Sequence, residues 1–292
     1  MAGQVAASRG RIVIATTARV PSVAMDIPDF DRPSPAPAVP GEPPSLVELV
    51  RRGTLDAELA ALVWVLVDGR LPLVVAASED LVDRGIAAQV LRGIIGSLRP
   101  DLGLKALDAL EIGRPLSVLG ARRMIHEDRP GGVTRGDSLQ AVHDRLGAAP
   151  PVGLSADELS FLGCVLVLGE DAPPTIQADD PAMAPARTIR VRAAHYERPL
   201  HRDRHGHAQL LGPAVLATWD EAGQRFEHFA WGVVPEIAAR LGRRSGDLEA
   251  DLHHRRDDIG GLAAAGVTSL EELGRLVAGY RVGYGHAHGG KH

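Results

Sequence analysis

Lysine is almost missing from this chain. Of 32 basic residues only Lys105 and Lys291 are lysines, and the other 30 are arginines. A GC-rich genome writes arginine codons and accounts for most of that bias. The shortage still excludes any chemistry that needs a lysine at another fixed position. Cysteine is scarcer. Cys164 stands alone, so no internal disulfide can form, and a reducing compartment is the expectation. It lies in the apolar run Cys164 to Leu168, which reads as a buried structural thiol rather than a nucleophile. Aromatic residues make up 3% of the chain and the formal net charge is −5, which gives no sign of a nucleic-acid surface. The longest apolar stretch, Leu59 to Val67, is far too short to span a bilayer. No apolar segment precedes a small-residue cleavage site near the start, so no signal peptide is expected. A cytoplasmic protein without direct membrane insertion follows, with room for a peripheral place at a membrane platform.

What is present is a chain of 292 residues, 45% hydrophobic and 24% charged, enough for a sizeable core. Residues 1–47 read as a proline-rich arm, with one β-type run at Arg11 to Val20; eight prolines between Pro21 and Pro44 prevent a helix. Residues 48–170 alternate in the manner of an α/β core. Leu59, Leu62, Val63 and Leu66 follow helical spacing and Gly69 is placed to end that helix. Leu71 to Ala77 reads as a buried strand. A helix lined by Val82, Ile86, Val90, Ile94 and Leu98 follows. Pro115 to Leu119 is a candidate short strand leading to His126. Asp137 and Ser155 are candidate helix caps, the latter in a box with Glu158. Residues 171–281 form a C-terminal β-hairpin and helical subdomain, entered through a linker at 171–186. Strands are expected at Thr188–Tyr196, Gln209–Thr218 and Arg225–Trp231. Three helices follow, at Val234–Leu241, Gly246–Asp258 and after a cap at Thr268. Residues 282–292 read as a disordered Gly/His tail.

Three segments in this order resemble the type II/IV secretion ATPases, the hexameric motors of pili, archaella and secretion systems. The first is Pro44-Ser-Leu-Val-Glu-Leu-Val-Arg-Arg-Gly-Thr-Leu55 with the helix and strand that follow. The second runs from Leu119-Gly-Ala-Arg-Arg-Met-Ile-His126 through Ala141 to Leu146 and on to the strand at 164–168. The third is Asp247 to Arg281. The resemblance implies a RecA-like P-loop-type core with a mainly parallel sheet, plus the C-terminal hairpin and helices. It implies also that Ala76, Ala77, Ser78, Glu79 and Asp80 occupy the phosphate-loop position and that His126 is a remnant of the histidine box.

The residues at that position do not suit a nucleotide. A P-loop needs glycines, so that successive amides can surround phosphate, and a lysine for its charge. Ala76 to Asp83 has neither, and Glu79, Asp80 and Asp83 put carboxylates where phosphate would lie. Acids in a first helical turn complement the helix dipole, so a structural role is expected for them. About two dozen residues separate the helix ending near Leu98 from His126, too few for the family's Walker B segment. His126 then has no γ-phosphate to sense and is expected as a structural histidine. Glu170 reads as a loop carboxylate and not a catalytic base. Gly285 to Lys291 spells a phosphate-loop pattern, but no helix can follow it.

No catalytic residue, cofactor or resident metal is expected. The leading expectation is a pseudoenzyme relative of the secretion motors, working through protein partners: a motor ATPase, a pilus or secretion platform, or its own copies. Two alternatives stand beside it. One is a metal-binding enzyme or module at the His-rich hairpin, where His195, His205 and His207 are candidate ligands. The other is a ring subunit that binds ATP at a shared interface.

Overall fold

The computed structural model describes residues 41–127, 129–147, 153–171, 188–202, 205, 208–209 and 211–288. The expected run at Arg11 to Val20 and most of the proline-rich arm lie outside these residues. The described chain starts with α1 (Leu46–Arg51) and α2 (Ala57–Asp68), which lead into strand β1 (Leu73–Ala77). Helices α3 (Glu79–Asp83), α4 (Ile86–Leu98), α5 (Gly103–Ala109) and α6 (Val118–His126) carry the chain to β2 (Gly131–Arg135). From there α7 (Leu139–Leu146) and α8 (Ala156–Leu159) precede β3 (Cys164–Asp171). Strands β4 (Thr188–Tyr196), β5 (His201–Arg202), β6 (Ala208–Gln209), β7 (Ala214–Asp220) and β8 (Arg225–His228) come next. Helices α9 (Val234–Arg240), α10 (Ser245–Ala264) and α11 (Leu270–His288) follow them.

The architecture is mixed α/β. Six strands form one sheet in the order β2-β1-β3-β4-β7-β8, and β5 pairs with β6 apart from it. β1 lies between β2 and β3 and runs parallel to both. The pairings β3–β4, β4–β7 and β7–β8 are antiparallel. A mainly parallel sheet is therefore not what forms. Parallel neighbours need a long crossover, which the helices before β2 and β3 supply; β7 and β8 are joined by a four-residue turn that permits only an antiparallel return.

All five residues of β1 are buried. Leu73, Val75 and Ala77 face a core built with α1, α2, α4 and the three C-terminal helices. Val74 and Ala76 face a second core with Ala121 and Met124 of α6 and Val142 and Leu146 of α7. The period-two alternation of a strand thus feeds two layers of helix at once. Helix α2 is buried around its whole girth from Leu59 to Val67, beyond the single stripe its spacing suggests, because α10, α4 and α1 all pack against it. Among the described residues no helix is long and apolar enough to cross a membrane.

Several boundaries differ from expectation for local reasons. The helix expected through Val82 and Leu98 is two helices, broken at Gly85, whose φ of 74° is left-handed. Pro115 makes only an isolated bridge to Val133, and the chain turns into α6 because Ser117 caps it. Ser138 caps α7 in place of Asp137, and Ser269 serves α11 in place of Thr268. The expected strand at Gln209–Thr218 is divided into β6 and β7, and β8 stops at His228. Helix α11 continues through His288, where a tail was expected; once nucleated, a helix extends at low cost per residue.

Gly163, just before β3, has a φ of +74°, and a Cβ there would lie 2.4 Å from the Pro72 carbonyl oxygen. Gly261 is exposed in the interior of α10, with open space around it. Gly163→Ala is expected to cost about 2 kcal/mol or more, left-handed strain and collision together. Gly261→Ala is expected to stabilise by roughly 0.5–1 kcal/mol. Urea denaturation of the two variants checks both signs.

Candidate functional site

Ligands of open α/β sheets commonly lie beyond the carboxyl ends of the parallel strands. Here β1 ends at Ala77 and α3 begins at Glu79, so Ser78 is the whole connection. One residue cannot wrap amides around a phosphate. Ala76 and Ala77 are buried in the strand itself, while Glu79, Asp80 and Asp83 project from α3 as exposed carboxylates.

Arginines answer these acids. Arg135, whose Cα is registered with Ala77 at the end of β2, donates from Nη2 to Asp83 Oδ1 at 2.7 Å and lies 3.5 Å from Glu79. Arg84 donates to Asp80 at 2.9 Å and approaches Glu170 of β3 at 3.6 Å. Among the described residues, Glu79, Asp80, Asp83 and Glu170 meet Arg84 and Arg135 at this edge. Exposed pairs of this kind contribute little stability; their acids oppose a triphosphate. His126 is not part of the edge. It is the exposed last residue of α6.

A second group was not singled out by the sequence. His143 of α7 and Glu197, just past β4, share a 2.6 Å hydrogen bond through the His Nε2. Glu197 is 4% exposed. Its amide donates to the Gly163 carbonyl at 2.8 Å, and its carbonyl accepts from Arg240 at 3.0 Å. The Arg240 guanidinium lies over the Tyr196 ring, 5.5 Å from its centroid. The Glu197 hydrogen bond, reinforced by its charge, raises the pKa of His143 against the opposing effect of burial. Burial lowers that of neighbouring His195. A carboxylate that orients an imidazole is half of an acid–base device, but the thiol nearby is inert: burial first, then the Glu197 charge, pushes Cys164 up to about 12. Nothing local in the sequence pairs Glu197 with a histidine of α7. Its partner is 54 residues away.

The metal candidates are dispersed or outside view. His195 sits within β4, registered with Val165 and Val215, and His205 is exposed in the turn between β5 and β6. His207 lies outside the described residues. Among the described residues no three His, Cys, Asp or Glu side chains are grouped to hold a metal ion.

The His143–Glu197 pair has a definite pH sign. A histidine whose folded pKa is raised contributes stability fully below its unfolded pKa, near 6.5, and loses it as pH rises through the folded value. The melting-temperature advantage of the wild type over His143→Gln should therefore be largest near pH ~6 and shrink by pH ~8. Scanning calorimetry of both proteins across that interval checks the slope; His195 and His228 are common to both.

No model of a known protein family matches the chain, and no curated protein matches it.

Proposed function

We propose that this chain is a non-catalytic relative of the type II/IV secretion ATPases, acting as an assembly, scaffold or regulatory subunit. The observation that carries the reading is the edge where β1 meets α3. A phosphate-binding motor needs a glycine-rich loop and a lysine there. This chain has a single serine followed by an acidic turn tied to Arg84 and Arg135. Lys105, the lysine among the described residues, is in α5, beyond the helix that would follow the loop.

A RecA-like ancestry for the core is supported by β2, β1 and β3 running parallel with helices on both faces. It is supported also by the order of segments, in which α2 enters β1 and a capped helix, α7, follows β2. The antiparallel strands β4, β7 and β8 extend that trio at one side. What remains after the loss of nucleotide chemistry is a scaffold with two covered faces, suited to holding a partner: a motor ATPase, a pilus or secretion platform, or another copy of this chain.

Titration with fluorescent ATP is the first test. The expected outcome is no Mg²⁺-dependent binding. Micromolar, Mg²⁺-dependent affinity that disappears on Glu79→Ala or Asp80→Ala would overturn the reading. Mixing with a motor ATPase encoded beside it should give a co-eluting complex whose ATP turnover comes entirely from the motor.

A further inference from the structure

A cleft lies at the opposite end of β1, away from the acidic edge. It encloses about 660 Å³ and is lined by Arg70, Arg99, Arg243, Arg255 and Arg281. That volume is of ligand size. Arg70 follows α2, Arg99 follows α4, Arg243 precedes α10, and Arg255 and Arg281 stand on α10 and α11. Five separate segments thus bring guanidiniums to one space.

Three aspartates hold the arginines in place, and two of them, Asp68 and Asp101, line the cleft themselves. Asp251, fully buried, accepts from Arg255 Nε at 2.9 Å and from Arg243 Nη1 at 2.7 Å. Asp68 accepts from Arg255 Nη1 at 2.6 Å and from Arg281 Nη2 at 3.2 Å. Asp101 accepts from Arg99 and from Arg281 Nη1, at 3.0 and 2.9 Å. Arg255 is only 4% exposed and lies beside the Trp64 and Tyr280 rings, 4.5 and 5.4 Å from their centroids, the two rings packing edge-on against each other. After these bonds Arg99 keeps Nη1, Arg255 keeps Nη2 and Arg281 keeps Nε outside any pair among the described residues.

The backbone adds an independent observation. Helix α2 closes with two bonds, from the Leu71 amide to Leu66 and from the Arg70 amide to Val67. This motif puts Arg70 in the left-handed region, at φ 58°, where glycine is the usual residue. The adjacent glycine, Gly69, is needed for another purpose: a Cβ there would meet Leu241 at 2.2 Å. An arginine side chain is therefore kept at a position that disfavours every L side chain, and it lines the cleft. Strain of this sort gathers at binding sites.

We propose that this cleft binds the phosphoryl group of a small phosphorylated molecule. A planar carboxylate is saturated by one or two guanidinium forks, whereas a tetrahedral phosphoryl dianion takes donors from several directions. Guanidiniums converging from five segments match the second shape. Asp68 and Asp101 fix the forks before the ligand arrives, and Val65 and Leu241 offer an apolar wall for the remainder of the molecule. The site is separate from the β1–α3 edge and does not rest on the proposed pseudoenzyme reading.

Pyrophosphate, titrated calorimetrically into the full chain at about 0.15 M salt, is the probe. Saturation at one site is expected, with affinity at least tenfold weaker in Arg70→Gly and in Arg99→Gln. Arg70→Gly removes the guanidinium and relieves the left-handed backbone, while Arg99→Gln leaves the backbone as it is, so a fall in binding is read in both, with circular dichroism to show that each variant is folded. Absence of saturation in the wild type overturns the proposal, and so does a wild-type curve in both variants. Sedimentation with phosphatidylcholine vesicles carrying phosphatidic acid separates the lipid source. Arginine-dependent vesicle binding without pyrophosphate binding overturns the small-molecule site in favour of a headgroup. Glu79→Ala should leave the pyrophosphate curve unchanged; its loss there would also overturn the assignment.

Discussion

Strand β1 has no face turned to water, and the rest of the described chain is arranged around that demand. Its alternate residues serve two cores, so helices must cover the sheet on both sides. Each Val or Leu buried in this way contributes roughly 1.5–3 kcal/mol, and the flanking strands β2 and β3 share the benefit by burying their own central residues. A strand fixed laterally by two parallel neighbours presents only its two ends to ligands or partners. At the carboxyl end stands α3 with its acids; at the amino end stand the termini of α2 and α4.

The amino end is where the C-terminal helices are locked on. Arg255 joins α10 to α2 through Asp68, and Arg281 joins α11 both to Asp68 and to the end of α4 through Asp101 and the Leu98 carbonyl. The pairs of Arg255, the buried ones among these, add little net stability, because desolvation offsets their attraction, yet breaking one leaves a costly unpaired charge. Their effect is therefore one of specification. Apolar packing of α10 against α2 would tolerate several registers; the Asp251–Arg255–Asp68 chain permits one. The same requirement that positions the helices also aims a set of guanidiniums into a common cleft, so structural and binding roles share the same side chains.

What could be read from the sequence divides along the range of the interactions. β1, α2 and the Ser155–Glu158 capping box are local patterns, and the reciprocal bonds of that box are present, with Arg122 also reaching Glu158. The mixed character of the sheet was not legible, because it depends on which strand β4 chooses, and it chooses β3 across a segment of linker composition. Cap positions slipped by one residue where two candidate caps adjoin, as at Asp137 and Ser138: the hydroxyl that can reach the Ala141 amide decides. The acids of α3 were evident, but their partner Arg135 comes from β2, and Arg84, which pairs with Asp80, also approaches Glu170 of β3. The arginine cleft was invisible for the same reason, its five guanidiniums being scattered from position 70 to 281.

The arginine-for-lysine bias takes on a different meaning at the two ends of β1. A lysine in a phosphate loop works as a compact charge carried by a backbone that itself makes most of the bonds. Arginine can recognise the same oxyanion without such a loop, since each planar fork supplies directed donors. The carboxyl end has no such loop, and its arginines are engaged by the chain's own acids. At the amino end no loop was ever required, because aspartates and two aromatic rings hold the forks in place. Under the proposed reading, a chain that no longer handles phosphate by backbone amides keeps, on the other side of the same strand, side chains able to do so. Among the described residues β1 runs from one end to the other and serves both cores, so a movement of β1 on occupation of the cleft would reach the acidic edge.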